Sequence, residues 1–538
     1  MMRGGGWAGS AADWQGRTQR RLLCLALLGA LTLILASSAS ATIRYEVSFN
    51  QPADHIFHVQ MEIPRVAPGE TIAMPAWNAL YQIRDFAYRV RDVEVGCISS
   101  AGPAGKFAIA RKLDKQDWSL DTATDGSHVG CAGTDGDVVT YSVVWNEPGP
   151  FDSQLSAHHA FVNLAEILMY VPDRRAEGSE VEFEDVPSGW QVIAELPRGP
   201  KENSFAAPSY DALVDAPVEA GNFDEFKFNS GGAHFRAVVD ASDWQKGFLR
   251  DALQRITGYE LKLMGGPPFR EYTFIFHIGA YSDVGGGGME HMNSTAIAAT
   301  STSGAAAIAA HEFFHVWNVK RIRPQSLQPV DYAKEQYTRA LWFAEGVTNT
   351  YSSYTLERAG LWSRKQFYAD LASQIADLQS RPARKWQSAE ESSLDAWFEK
   401  YDDYNRPSRS VSYYDKGQIV GVMLDLAIRD ATGDRKSLDD VMRRMNDEYA
   451  KAGRYYDDSA GVLRVVNEVS GKDFSEFFRR YVSGTDEIPY DSFLGIAGLQ
   501  LNLDTASDGT LTGTIDEVPH PSARQGQIRD AWLRGVTE

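Results

Sequence analysis

The hydrophobic period of this 538-residue sequence changes along the chain, and that change limits what it can fold into. From Thr42 to about Ala207 apolar residues alternate with polar ones, as in Tyr45, Val47 and Phe49 and again in Val59, Met61 and Ile63. A period of two puts every second side chain on one face of a strand. Turn clusters such as Ala67-Pro68-Gly69 and Glu147-Pro148-Gly149-Pro150 break the runs at short intervals. The pattern predicts an antiparallel β domain, sandwich-like, over residues 42–207, with the polar, proline-containing stretch Glu202 to Pro208 as its boundary. After a strand at Tyr272 to Ile278 and a glycine tract at Gly285 to Gly288 the period lengthens. Helices are predicted from Ala305 to Ile322, Thr338 to Ala359, Lys365 to Leu378, Lys416 to Thr432, Ser437 to Ala450 and Phe474 to Val482. Residues 208–494 are expected to form an α+β domain with a mostly helical C-terminal half. Alternation returns at Leu499, Leu501 and Leu503, in a segment, 495–538, too short for an independent β-rich domain of the usual size.

The first 41 residues read as a leader. Arg17, Arg20 and Arg21 precede an uncharged, largely apolar run from Leu22 to Ala36, followed by small residues with an A-x-A pattern at Ala39 to Ala41. The run is shorter than the roughly 20 residues of a membrane span. A signal peptide over 1–41, cleaved after Ala41, is expected, with export to the periplasm or the medium and no stable membrane span afterwards. Removing residues 1–41 takes away four arginines and one aspartate and moves the formal net charge from −19 to −22. Such a chain repels nucleic acid and anionic lipid, which removes both from the expected partners. Cys24 leaves with the leader, while Cys97 and Cys131 remain in an oxidising compartment, either as a disulfide or as two thiols. Neither lies in a metal-binding spacing.

The strongest chemical signal is His311-Glu312-Phe313-Phe314-His315. On a helix, residues i and i+4 share a face, so two imidazoles converge on one ion while the intervening glutamate reaches its water. Neutral imidazole nitrogens at about 2.0–2.1 Å suit zinc, and a catalytic site adds a third protein ligand and an open position. Glu345, on the next predicted helix, is a candidate third ligand; an ordinary helix carboxylate has the same spacing. Asn349, one turn beyond it, is a candidate to orient a histidine from behind. Lys320, Arg321 and Arg323 read as cations complementing a helix end.

The strings HEFFHVWNVKRIRP and LWFAEGVTNTY, together with MPAWNALYQIRDFAYRV, GGGGMEHMNST, SYYDKGQIVGVMLDLAIR and FFRRYVSGTDEIPY, resemble the PDZ-containing glycyl aminopeptidases, gluzincin zinc metallopeptidases. The resemblance spans nearly the whole chain after the leader. It implies a β-rich N-terminal domain, a thermolysin-like catalytic domain and a terminal PDZ domain, with one zinc ion on His311, His315 and Glu345 and Glu312 as general base. Gly288-Met289-Glu290 is similar to the gluzincin motif that holds the substrate's free α-amine, which implies that role for Glu290 on the backbone of Gly288 and Met289; His291 departs from the motif's asparagine. Tyr414 in Tyr414-Asp415-Lys416-Gly417 matches the position of an oxyanion-donating tyrosine, with Tyr413 as the neighbouring alternative. The expected activity is release of small N-terminal residues, Gly or Ala, from peptides with a free N-terminus. A zinc endopeptidase and a catalytically silent peptide-binding protein of the envelope are the competing readings. Pro519 to Glu538 lacks the glycine-rich continuation of a PDZ domain, so residues 495–538 are expected to be a truncated or degenerate PDZ-like segment.

Overall fold

The computed structural model describes residue 1 and residues 42–78, 81–99, 102–121, 136–279 and 286–536, with backbone alone at 99 and 102–106. The expected leader and Cys131 lie outside them. Cys97 is disulfide-bonded.

The alternating stretches become the strands they predict. Ile43–Ser48 and Ile56–Pro64 pair antiparallel, with Tyr45 opposite Met61 and Val47 opposite Val59, so both apolar sets fall on the same face. They sit in a seven-stranded sheet whose order is Ser204–Ala207, Ser179–Glu184, Ile43–Ser48, Ile56–Pro64, Gly136–Val144, Val90–Ser99, Gly102–Ile109. One pairing departs from the antiparallel expectation: Ile43–Ser48 runs parallel to Ser179–Glu184. This sheet, a three-stranded one and a four-stranded one share a single core that includes Phe57, Met61, Trp118, Val162 and Val218.

The boundary at 207 is corrected. Ser204–Ala207 is an edge strand of the large sheet, and Val218–Gly221 lies between Gln191–Ala194 and His159–Val162 in the four-stranded sheet. The proline-containing stretch is thus largely a strand inside the domain, and the chain returns to the first domain's sheets after it.

The second domain opens with a five-stranded mixed sheet in the order Asp224–Ser230, Ala233–Ala241, Glu271–Ile278, Ser294–Ala299, Gly287–Glu290. Gly287–Glu290 is therefore an edge strand. The helices pack against this sheet around a core of Phe274, Phe313, Trp342, Tyr351 and Met423. The helix Lys246–Met264 escaped the sequence reading, as did Asp458–Ser470. Residues 499–534 form a hairpin, Leu499–Thr505 with Leu511–Glu517, and the helix Ala523–Arg534. The Trp532 indole, fully buried, donates to the Tyr354 hydroxyl at 2.7 Å, so this segment shares the core of the second domain. Among the described residues no helix is long and apolar enough to cross a membrane.

Candidate metal centre

The helix Thr302–Phe314 is built to lie under a cleft. Ser301 caps it by accepting from Gly304 N, and Ala305, Ala306, Ala309 and Ala310 give it a slim buried face. It is expected to run to Ile322 but ends at His315, whose Nδ1 donates to Asn318 O at 2.5 Å as the chain turns back. That bond fixes the imidazole tautomer and turns the Nε2 lone pair inward. The Asn318 side chain also donates to Phe343 O and to the Thr348 hydroxyl, tying the turn to the element that carries Glu345. Asn318 was missed by the sequence reading, which had only the spacing of a helix that does not continue.

Glu345 stands on a π-helical turn, Trp342–Val347, and not on a regular helix. Gly346 and Gly417 meet backbone to backbone, and a Cβ on Gly346 would lie 2.4 Å from Gly417 Cα. This contact seats Trp342–Val347 against the start of the helix Tyr413–Thr432, which brings Tyr414 to the same cleft. Neither histidine Nδ1 bonds to Asn349: that of His315 goes to Asn318 O, and that of His311 has no partner among the described residues.

His311 Nε2 and His315 Nε2 are 2.9 Å apart, and Glu345 Oε2 lies 3.2 Å from His315 Nε2 and 3.6 Å from His311 Nε2. Tetrahedral ligands at zinc–ligand distances of about 2.0–2.1 Å stand roughly 3.3 Å from one another. The donor set therefore fits one zinc ion. The electrostatics agree: burial alone would lower the His315 imidazole, but Glu345 pushes it up to about 10. Burial would raise Glu345, yet the two imidazoles hold it well below the usual carboxylate range. At His311 the balance goes the other way, where burial and the neighbouring His315 lower the imidazole and keep it neutral, as a metal ligand must be.

Glu312 is buried and its Oε2 has no hydrogen-bond partner among the described residues. Burial raises its carboxyl well above the ordinary value, in the direction a base working near neutrality requires. It packs on Gly288, where a Cβ would lie 2.4 Å from its carboxyl carbon. Oxygens of Glu290 and Glu312 and a ring nitrogen of His315 all lie within 4.8 Å of one another. Glu290 ends the edge strand, whose outer backbone is free of sheet partners among the described residues.

The cleft, about 550 Å³, is formed by both domains, with Trp77, Tyr81 and Phe151 contributed by the first and Glu290, His311 and Tyr414 by the second. Tyr81 takes a left-handed backbone (φ 47°), which non-glycine residues seldom adopt and which recurs at functional sites. Lys320 and Arg321 are more than helix-end cations. Lys320 Nζ donates to Asp215 Oδ1 at 2.6 Å, Asp215 Oδ2 accepts from Met292 N, and Arg321 donates to Met292 O and Asn293 Oδ1. The chain just after Glu290 is thus braced by both domains.

Of the adjacent tyrosines, Tyr414 lines the cleft, 6.2 Å ring to ring from His311, while Tyr413 is buried against Val319, Leu341 and Ala396. Burial, then Glu345, keeps the Tyr414 hydroxyl protonated by raising it well above 10. Tyr414→Phe is expected to lower kcat by about 10²-fold with little change in KM, as loss of a transition-state donor does. Steady-state kinetics beside Tyr413→Phe checks this; equal effects of the two would remove Tyr414 from the role.

The sequence matches the family models of the peptidase M61 N-terminal domain over residues 44–222 and of the M61 glycyl aminopeptidase over residues 305–420, together more than half of the chain. No curated protein matches it. Among solved structures, the fold is similar to that of the aminopeptidase N family protein of Idiomarina loihiensis, with 24% identity, TM-score 0.79, and coverage of 86% of this chain and 80% of that one. An M1 zinc metallopeptidase from Deinococcus radiodurans shares it at 14% identity and TM-score 0.51, over 84% of this chain and 95% of that one. The chain belongs to the M61 glycyl aminopeptidase family.

Proposed function

We propose that the protein is an exported, zinc-dependent aminopeptidase that releases small N-terminal residues from peptides. One observation carries the reading: a carboxylate at the end of an edge strand, Glu290, stands within 4.8 Å of both Glu312 and His315. A peptide lying along the strand would present its free ammonium to Glu290 and its first carbonyl to the side of the cleft lined by His311, His315 and Glu345, which sets the register at one residue. His311, His315 and Glu345 hold the zinc, which when bound supplies Lewis acidity and lowers the pKa of a water towards about 7. Glu312 takes the proton from the attacking water and passes it to the leaving amine. Tyr414 donates to the developing oxyanion. The buried surroundings exclude bulk water and strengthen each of these contacts. Export rests on the leader-like segment 1–41, and the preference for Gly or Ala on the family resemblance.

The test compares free-amine glycyl and alanyl substrates with their N-acetylated forms. The wild-type protein is expected to cleave the free-amine form at least about 10²-fold faster in kcat/KM, and Glu290→Gln to remove most of that difference while retaining zinc. Equal cleavage of both forms by the wild type would make the protein an endopeptidase. Absence of zinc and of hydrolysis would leave the peptide-binding reading.

A further inference from the structure

A second cluster of metal-binding side chains lies where the two domains meet. His159 and Glu219 come from the paired strands His159–Val162 and Val218–Gly221 of the first domain. His277 and Asp240 come from paired strands of the second, where they are register partners. His159, Glu219 and His277 are each at most 2% exposed, and one donor atom from each lies within 4.8 Å of the others. The Glu219 carboxylate reaches both imidazoles, with Oε1 3.0 Å from His159 Nδ1 and Oε2 2.9 Å from His277 Nε2, and Asp240 Oδ2 is 3.4 Å from His159 Nδ1. These carboxylate–imidazole spacings compare with 3.2 and 3.6 Å at the first centre.

The tautomer of His159 points to a cation. Gln154 donates through its Nε2 to Asn146 Oδ1, so its Oε1 faces His159 Nε2, 2.9 Å away, and that nitrogen carries a proton. Nδ1 of a neutral His159 would then aim a lone pair at two carboxylates. Either a proton lies between His159 and one of the carboxylates or a metal ion sits among the four side chains. Two neutral imidazoles and two carboxylates balance a dication without leaving net charge in a buried site, and they match the N/O ligand set that zinc accepts. Gly221, paired opposite His159, keeps the site open, since a Cβ there would lie 3.0 Å from His159 Cβ.

We propose that His159, Glu219, His277 and Asp240 form a second, structural transition-metal site that joins the two domains. The ligands come in pairs from sheets of different domains, so an ion bound there fixes the relative position of the two walls of the cleft. The inference does not depend on the catalytic reading.

The experiment uses the whole chain and zinc as the probe. Wild-type protein and a His311→Ala/His315→Ala variant are stripped with chelator, incubated with zinc chloride, dialysed and measured for bound metal and thermal unfolding. Two zinc ions per wild-type chain and one per chain of the double variant are expected, with zinc raising the Tm of the double variant by about 5 °C or more. Adding His277→Gln to the double variant is expected to abolish both. Asp240→Asn, more exposed and gentler on folding, is expected to weaken zinc binding at least tenfold in the same background. Folded double-variant protein that binds no zinc overturns the proposal, and so does one whose zinc binding is unaffected by both further substitutions. Failure of the wild type to hydrolyse peptides, with the double variant still binding one zinc, would overturn only the catalytic reading.

Discussion

Glu312→Gln is expected to lower kcat by about 10²–10⁴-fold, the range that a positioned general base contributes, with bound zinc unchanged. The glutamine amide keeps the shape of the side chain, so the packing against Gly288 is retained and only the capacity to take a proton is lost. Glu312 is suited to this separation of roles. The three donors that converge at zinc distances are His311, His315 and Glu345, and Glu312 Oε2 has no hydrogen-bond partner among the described residues. Steady-state kinetics with a glycyl or alanyl substrate, together with metal analysis of the same preparation, checks both halves. Activity within tenfold of the wild type would remove Glu312 as the base, and loss of zinc would make it a ligand.

The second large effect is expected at a residue that touches neither metal nor substrate. A Cβ on Gly417 would lie 2.3 Å from Trp342 O and 2.8 Å from Gly346 Cα, and both obstacles are backbone. Relief requires the π-helical turn that carries Glu345 and the helix that carries Tyr414 to move apart. Gly417→Ala is therefore expected to cost about 3 kcal/mol of stability or more, at the upper end for overpacking, and to lower kcat/KM by about 10²-fold through misplacement of both groups. Gly526→Ala is the control: that glycine also lies in a helix but has open space where its Cβ would be, so a neutral or slightly stabilising change is expected. Thermal unfolding and kinetics of the two variants give the comparison. Equal behaviour would mean that the glycine contact does not hold the site together.

Much of the site was legible because its parts are local. His311, Glu312 and His315 fall within five residues, where helical geometry alone brings them to one face. Glu345 needed more, because the path between two helices is not encoded in a spacing. Asn318 was hidden because the predicted helix runs through it, whereas the chain turns at His315 once Asn318 O becomes the partner of its ring. Asn349 does not take the expected role because the His315 ring nitrogen is already used by Asn318 O. Asp215 was out of reach, since its link to Lys320 joins residues 105 positions apart in different domains.

By itself the sequence determined the β-rich first domain, the helical second half and the clustering of two histidines and a glutamate within five residues, since period and donor type are local properties that folding can only use. The tertiary structure alone decided how the pieces meet. The close contact of Gly346 and Gly417 sets Glu345 and Tyr414 around one cleft, the edge position of Gly287–Glu290 aims a carboxylate at it, and two sheets from different domains bring His159, Glu219, His277 and Asp240 together. Each of these depends on backbone approach between segments distant in the chain, which is fixed by packing and strand order and leaves no periodic trace in the residues.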